Sequence, residues 1–308
     1  MKILLASDGS AHARIAEESL LKIPAWREAE IIVASVAVNV VPFTATYPAA
    51  EGTAYAESSA EVVEELEKHS KVASQEAADR LKSRGLNARA VVLEGNVASE
   101  LLDLADHEQV DLIAVGSRGE NAFVGFLLGS TARRLVAYSK VNVFVARSYR
   151  DTEPEETCRK MQGKEKLALQ VCVDGSKGSE LALDTVRLMG ANAFSKIVVA
   201  CAEPLSPLPL GIDPVSFGDT YRSDHGEAVN IVRNAEDKVR SAADDVIGVT
   251  KLGPPSQALM DIAGSQAVDI VALAATRHGF VERFLLGSVS YDVATHAPCS
   301  VLVVRGTQ

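Results

Sequence analysis

The four cysteines show no C-x-x-C pair and no Cys/His ligand spacing, which removes the common zinc and dithiol frameworks. Cys172, Cys201 and Cys299 stand in β-branched apolar runs where a small buried thiol is expected, and Cys158 alone reads as exposed. Aromatics make up 5% of the residues, too few for base-stacking platforms on a nucleic-acid surface. Basic residues are outnumbered 31 to 41, and the net charge of −10 argues against a polyanionic partner while leaving room for a local basic pocket around a small phosphate ligand. Long apolar runs are missing too. The stretch from Ile31 to Phe43 is broken by Ser35, Asn39 and Pro42, short of the roughly 20 residues that span a bilayer. The opening MKILLASD has no signal-peptide core, so a soluble cytoplasmic protein without a membrane partner is expected. Three catalytic signatures are also absent: GxxxxGK[ST], a GxGxxG after the first strand, and GxSxG.

What is present is a repeat. With 308 residues there is chain for two domains of about 150 each. Asp111-Leu-Ile-Ala-Val115 recurs as Asp269-Ile-Val-Ala-Leu273, and Phe126-Leu-Leu-Gly-Ser130 recurs as Phe284-Leu-Leu-Gly-Ser288. Val143, Val145 and Arg147 map onto Val301, Val303 and Arg305 at the same spacing, and Asp8-Gly9-Ser10 maps onto Asp174-Gly175-Ser176. Domains over 1–147 and 167–308 follow, joined at 148–166 by a polar, charged segment that reads as a solvated linker.

Each copy alternates short β-branched runs with longer amphipathic stretches. Strands are predicted near 2–7, 30–38, 88–94, 111–116 and 141–146, and near 167–173, 196–202, 246–251, 269–274 and 299–304. Helices are predicted near 11–23, 58–84, 97–108 and 130–139. Strands apolar on both faces belong to a parallel sheet covered on either side, so the expected class is α/β, a doubly wound five-stranded sheet of Rossmann-like kind, twice in tandem.

Ligands of such sheets sit beyond the strand tips where the strand order reverses. The first strand ends in Asp8-Gly9-Ser10; the fourth ends in Gly116-Ser-Arg118-Gly119, followed by nine residues and then Gly129-Ser130 opening a helix. Glycines here allow close approach of an anion to backbone N–H groups, the helix start offers free donors, and Arg118 adds a charge. A mononucleotide polyphosphate fits. The same spacing is also compatible with a plain turn at Gly116 and Gly119 and a helix cap at Ser130, and Asp8 with an N-cap.

Gly116-x-x-Gly119, nine residues, then Gly129-Ser130 resembles the ATP-binding signature of the universal stress protein family, of the adenine nucleotide alpha hydrolase-like fold. The resemblance covers both copies, making the chain similar to a tandem member. It implies that Asp8 and the backbone at Val36 hold adenosine. It implies too that Gly116, Arg118, Gly119, Gly129, Ser130 and the backbone at Thr131 take ribose and phosphates, with magnesium bridging the phosphates. The family also uses its last strand as a dimer contact, which implies an intramolecular pseudo-dimer through Val141–Ala146 and Cys299–Val304, and a homodimer of whole chains as a further option.

The second copy departs from the pattern, with Ala274 and Arg277 at the places of Gly116 and Gly119. If those glycines are left-handed, side chains there are strained by roughly 1–2 kcal/mol each, so ATP is expected in the first copy only. No lysine, second carboxylate or recurrent histidine accompanies the site, and the six histidines read as surface residues. The expectation is a nucleotide-dependent stress-response switch with at most slow ATP hydrolysis, acting on an unknown protein partner through the segments 39–59, 120–128 and 203–224. The alternative is a scaffold of the same fold that binds no nucleotide.

Overall fold

In the first half the chain runs β1 (Lys2–Ala6), α1 (Ala11–Leu20), α2 (Pro24–Arg27), β2 (Glu30–Ala37), α3 (Gly52–Ser83), β3 (Asn87–Glu94), α4 (Val97–Glu108), β4 (Leu112–Gly116), α5 (Ser130–Tyr138) and β5 (Asn142–Ala146). After α6 (Pro154–Gln162) come β6 (Leu167–Cys172), α7 (Lys177–Arg187), β7 (Phe194–Glu203), α8 (Pro214–Val239), β8 (Val246–Leu252), α9 (Pro255–Ser265), β9 (Ile270–Ala274), α10 (Ser288–His296) and β10 (Ser300–Val304). The computed structural model describes residues 1–38, 52–119, 128–204, 214–275 and 287–306. Among them no helix is long and apolar enough to cross a membrane.

The strands form one sheet in the order β3-β2-β1-β4-β5-β10-β9-β6-β7-β8. Within each half all pairings are parallel, and the direction of winding reverses between β1 and β4 and between β6 and β9. The doubly wound α/β class expected from the periodicity is what the chain adopts. Its inner strands alternate between two cores because they are largely apolar on both faces. In β5, Phe144 and Ala146 enter one core, and Val143 and Val145 the other. Each core draws residues from both halves, and Trp26 of α2 meets Phe144 edge-on at 5.1 Å between centroids.

The two halves join where β5 and β10 run antiparallel, with Val145 opposite Val301, Phe144 opposite Leu302 and Val143 opposite Val303. The sheet's outer edges are therefore β3 and β8. Just past each joining strand stands a buried arginine. Arg147 donates from Nη1 to the carbonyls of Thr295 and Ala297 at 2.9 and 3.1 Å, and from Nη2 to that of Ala294 at 2.9 Å, closing the C-terminus of α10. Arg305 reciprocates by donating to the Val136 carbonyl in the last turn of α5. A cation at a helix C-terminus meets unsatisfied carbonyls and the negative end of the macrodipole. Each half thus terminates a helix of the other.

The segment 148–166 is not a solvated linker. It carries α6, started by Pro154 with Glu155 and Glu156 in the first turn and ended with Arg159 and Lys160 in the last, a charge order that suits the helix dipole. Thr157, Cys158 and Met161 are buried, so Cys158 is not the exposed thiol its polar neighbours suggested, and all four cysteines are buried and free. The helix lies on α1, with Gln162 Nε2 donating to Glu18 Oε1 at 2.9 Å. Its flanks are pinned to the second half: Tyr149 donates its hydroxyl to Asp269 Oδ1, and Lys164 Nζ meets the same oxygen, both at 2.5 Å. Composition missed a helix whose buried stripe is only three residues wide.

Since both cores cross the seam, the halves are expected to unfold together. Phe144→Ala should cost about 3–5 kcal/mol while leaving a single urea transition; two separated transitions would show instead that the halves fold independently.

Candidate functional site

At the end of β1 the chain turns through Gly9, at φ +81°, into α1. Asp8 Oδ1 accepts from Ser10 N at 3.0 Å, and Ser10 Oγ accepts from Ala13 N at 3.2 Å. Ser10 is thus the N-cap, and Asp8 an exposed carboxylate that shapes the turn without capping the helix. The second half repeats the device, with Asp174 Oδ1 accepting from Ser176 N at 3.0 Å and Ser176 capping α7.

The tip of β4 is folded onto this turn. Ser117 N donates to the Ala146 carbonyl at 2.7 Å, and Gly129 N donates to the Ser117 carbonyl at 2.8 Å, which seats the start of α5 beside the strand tip. A Cβ on Gly116 would stand 3.0 Å from the backbone of His12 and Ala13. One on Gly119 would stand 2.7 Å from Asp8 Oδ2, and one on Gly129 3.1 Å from the Ser117 carbonyl oxygen. None of the three has a positive φ. The expectation of left-handed glycines is therefore corrected: close approach to main chain accounts for Gly116 and Gly129, whereas Gly119 faces the end of the exposed Asp8 side chain. The argument against Ala274 changes accordingly, from strain to an added Cβ at a place where the first half has none. Arg277 lies outside the described residues, as do 39–51, 120–127 and 205–213 of the segments expected to act on a partner.

Helix α5 begins at Ser130 with Gly129 in the cap position and no side chain bonded there. Ser130 is exposed within the first helical turn and Thr131 follows half-buried, so Ser130 is not the cap. By contrast α1, α4 and α7 are closed by Ser10, Asn96 and Ser176. Val36 lies in β2 two residues beyond Ala34, whose carbonyl accepts from Ser7 N at 2.9 Å, on the same end of the sheet as Asp8. The fold thus sets Gly119 beside Asp8, Gly116 against the first turn of α1 and Gly129 against Ser117 and Arg118 in one cradle, with Ser130 and Thr131 following in α5, while Val36 lies in β2 at the same end of the sheet. Among the described residues no group of three His, Cys, Asp or Glu side chains is placed to hold a metal.

Beside the cradle opens a cleft of about 740 Å³, lined by α1's first turn, Arg118, Gly119, the chain from Arg147 to Glu155, and Ala297 and Pro298 of the second half. His12 lines it half-buried, which corrects the reading of this histidine as a surface residue. Burial, reinforced by Arg118 and Arg147 against the opposing Asp8 and Glu155, lowers its pKa from 6.5 to about 4. Sequence reasoning missed His12 and Arg147. The available signal was position: His12 is two residues past the cap at a strand tip, and Arg147 directly follows the seam strand.

A family model described as the universal stress protein family matches residues 1–147 and 169–305. A universal stress protein of Mycolicibacterium smegmatis is 27% identical over 311 residues, covering 98% of this chain and 96% of that one. One from Methanocaldococcus jannaschii is 30% identical over 150 residues, 47% of this chain and 81% of the relative. The crystal structure of a universal stress protein from Archaeoglobus fulgidus superposes with a TM-score of 0.60 at 20% identity, covering 99% of this chain and 98% of that one, a likeness of fold.

His12 is neutral in the folded chain down to about pH 4, whereas an unfolded chain protonates it near 6.5. Between those values the unfolded state binds more protons, so this group's contribution to stability is full above pH 6.5 and is lost as pH falls toward 4. His12→Gln should flatten that part of the stability profile in urea titrations. An unchanged slope would mean that His12 is solvated.

Proposed function

The chain belongs to the universal stress protein family, and on that premise we propose that it is an ATP-binding stress-response regulator that holds its nucleotide in the first half only. The observation that carries this reading is the cradle itself: Gly116 closed on the first turn of α1 and Gly129 on the Ser117 carbonyl, with Gly119 beside Asp8 and a helix start with no side-chain cap. The uncapped start of α5 offers N–H groups and the positive end of its dipole to phosphate oxygens.

In this reading Asp8 and the backbone at Val36 hold the adenosine end. Gly116 lets the strand tip close on the first turn of α1, Gly119 lies against Asp8, and Arg118 meets the nucleotide's negative charge. Gly129 seats the helix start against Ser117, and Ser130 and Thr131 present N–H and hydroxyl donors to the phosphates. Magnesium, when bound, neutralises phosphate charge. With no cluster of three ligating side chains among the described residues, it would be held chiefly by the phosphates and water, as is common for this ion. Hydrolysis needs a group that orients water and charge neutralisation at the γ-phosphate. The cradle's own side chains offer Arg118 and Asp8 for this, which supports slow turnover and a switch in preference to an enzyme.

The scaffold alternative draws support from the continuous sheet, since the seam holds the halves together whether or not the cradle is filled. The two readings separate on nucleotide released from freshly purified, denatured protein. About one adenine nucleotide per chain is expected, with Gly119→Ala weakening magnesium-ATP binding at least tenfold in calorimetry and Gly287→Ala leaving it unchanged. Two nucleotides per chain would overturn the one-site reading, and none, with no uptake afterwards, would favour the scaffold.

A further inference from the structure

The cleft beside the cradle has a positive floor. Arg147 is 8% exposed, its Nη atoms are committed to three main-chain carbonyls, and its Nε has no hydrogen-bond partner. Among the described residues no carboxylate lies within ion-pair distance of it. A buried guanidinium balanced only by helix carbonyls is a costly arrangement that an incoming anion relieves. Arg118 is half-buried in the same cleft, and His12 faces both. The acidic groups of the lining, Asp151, Glu153 and Glu155, are all exposed on the joining segment; Arg14 and Arg150 also line the cleft, and Asp8, exposed at the tip of β1, opposes the two arginines at His12.

The cleft is also preformed. Arg150 N donates to the Pro298 carbonyl at 2.9 Å, and Tyr149 is held by Asp269, so the wall from Arg147 to Glu155 is fixed to the second half. A volume of about 740 Å³ suits a small metabolite. Of the cradle residues only Arg118 and Gly119 line it; Val36, Ser130 and Thr131 do not.

We propose that this cleft is a second ligand site, distinct from the nucleotide cradle, that binds a phosphate group, free or as a small phosphate monoester, between His12, Arg118 and the charge of Arg147. The chemistry fits a dianion. Arg118 contributes its guanidinium charge, and His12 gains a proton as the anion arrives, becoming a charged donor. Because its walls come from both halves and from the joining segment, occupancy is registered on all three at once. Because Arg118 belongs to both sites, the two ligands influence one another.

The test uses the full-length chain and inorganic phosphate, followed by calorimetry and by histidine NMR, with His12→Gln assigning the His12 signal. Saturation at one phosphate per chain is expected, with the His12 midpoint raised above about 4. His12→Gln and Arg118→Gln should each weaken binding at least tenfold, while Ser130→Ala, a change in the cradle wall alone, leaves phosphate affinity within twofold. No phosphate-dependent change at His12, or wild-type phosphate affinity in His12→Gln, would overturn the site. Equal weakening of ATP and phosphate by His12→Gln, with one displacing the other, would show a single polyphosphate seat and overturn its separateness. Failure of the nucleotide reading looks different: ATP binding is absent while the phosphate response at His12 persists.

Discussion

A β-strand with one unpaired edge presents a row of donors and acceptors that must be satisfied by water or by another strand. In this chain β5 and β10 satisfy each other, and most of what is distinctive about the molecule follows from that pairing. Antiparallel alignment places the ends of the two strands at opposite margins of the sheet. It thereby delivers Arg147 to the last turn of α10 and Arg305 to the last turn of α5. The two apolar cores then run through the seam without interruption.

The same pairing reaches the site. Helix α5 starts at the cradle and ends under Arg305, so one rigid element links the proposed phosphate seat to the other half. Arg147 has a double position, ending α10 on one side and lining the cleft on the other. A second half whose own cradle is altered at Ala274 therefore still contributes to the first half's surroundings.

Much of this was legible in the residues. The repeat, the parallel sheet implied by apolar strands and the nearness of the first and fourth strand tips all follow from pattern and topology, because a parallel sheet places its strand tips together whatever the loops do. What was not legible is of two kinds. The role of the glycines was misjudged because spacing cannot separate a left-handed turn from close approach; the backbone angles of the folded chain do so. His12, Arg147 and α6 were missed because their environment is supplied by segments far away in sequence. Burial of Cys158 depends on α1, and the surroundings of Arg147 on the C-terminus of α10.

The seam holds one further detail. Arg147 N donates to Ser300 Oγ at 3.1 Å, whereas Arg305 N donates to Asn142 Oδ1 at 2.8 Å. Asn142 and Ser300 occupy corresponding positions of the repeat. Two identical subunits meeting about a twofold axis are bound to place the same residue at both sites. Fusion into a single polypeptide lifts that obligation, so every mirrored pair becomes two positions able to drift apart. Asn142 and Ser300 record such a parting, an asymmetry within the joint itself that no pair of identical subunits could encode.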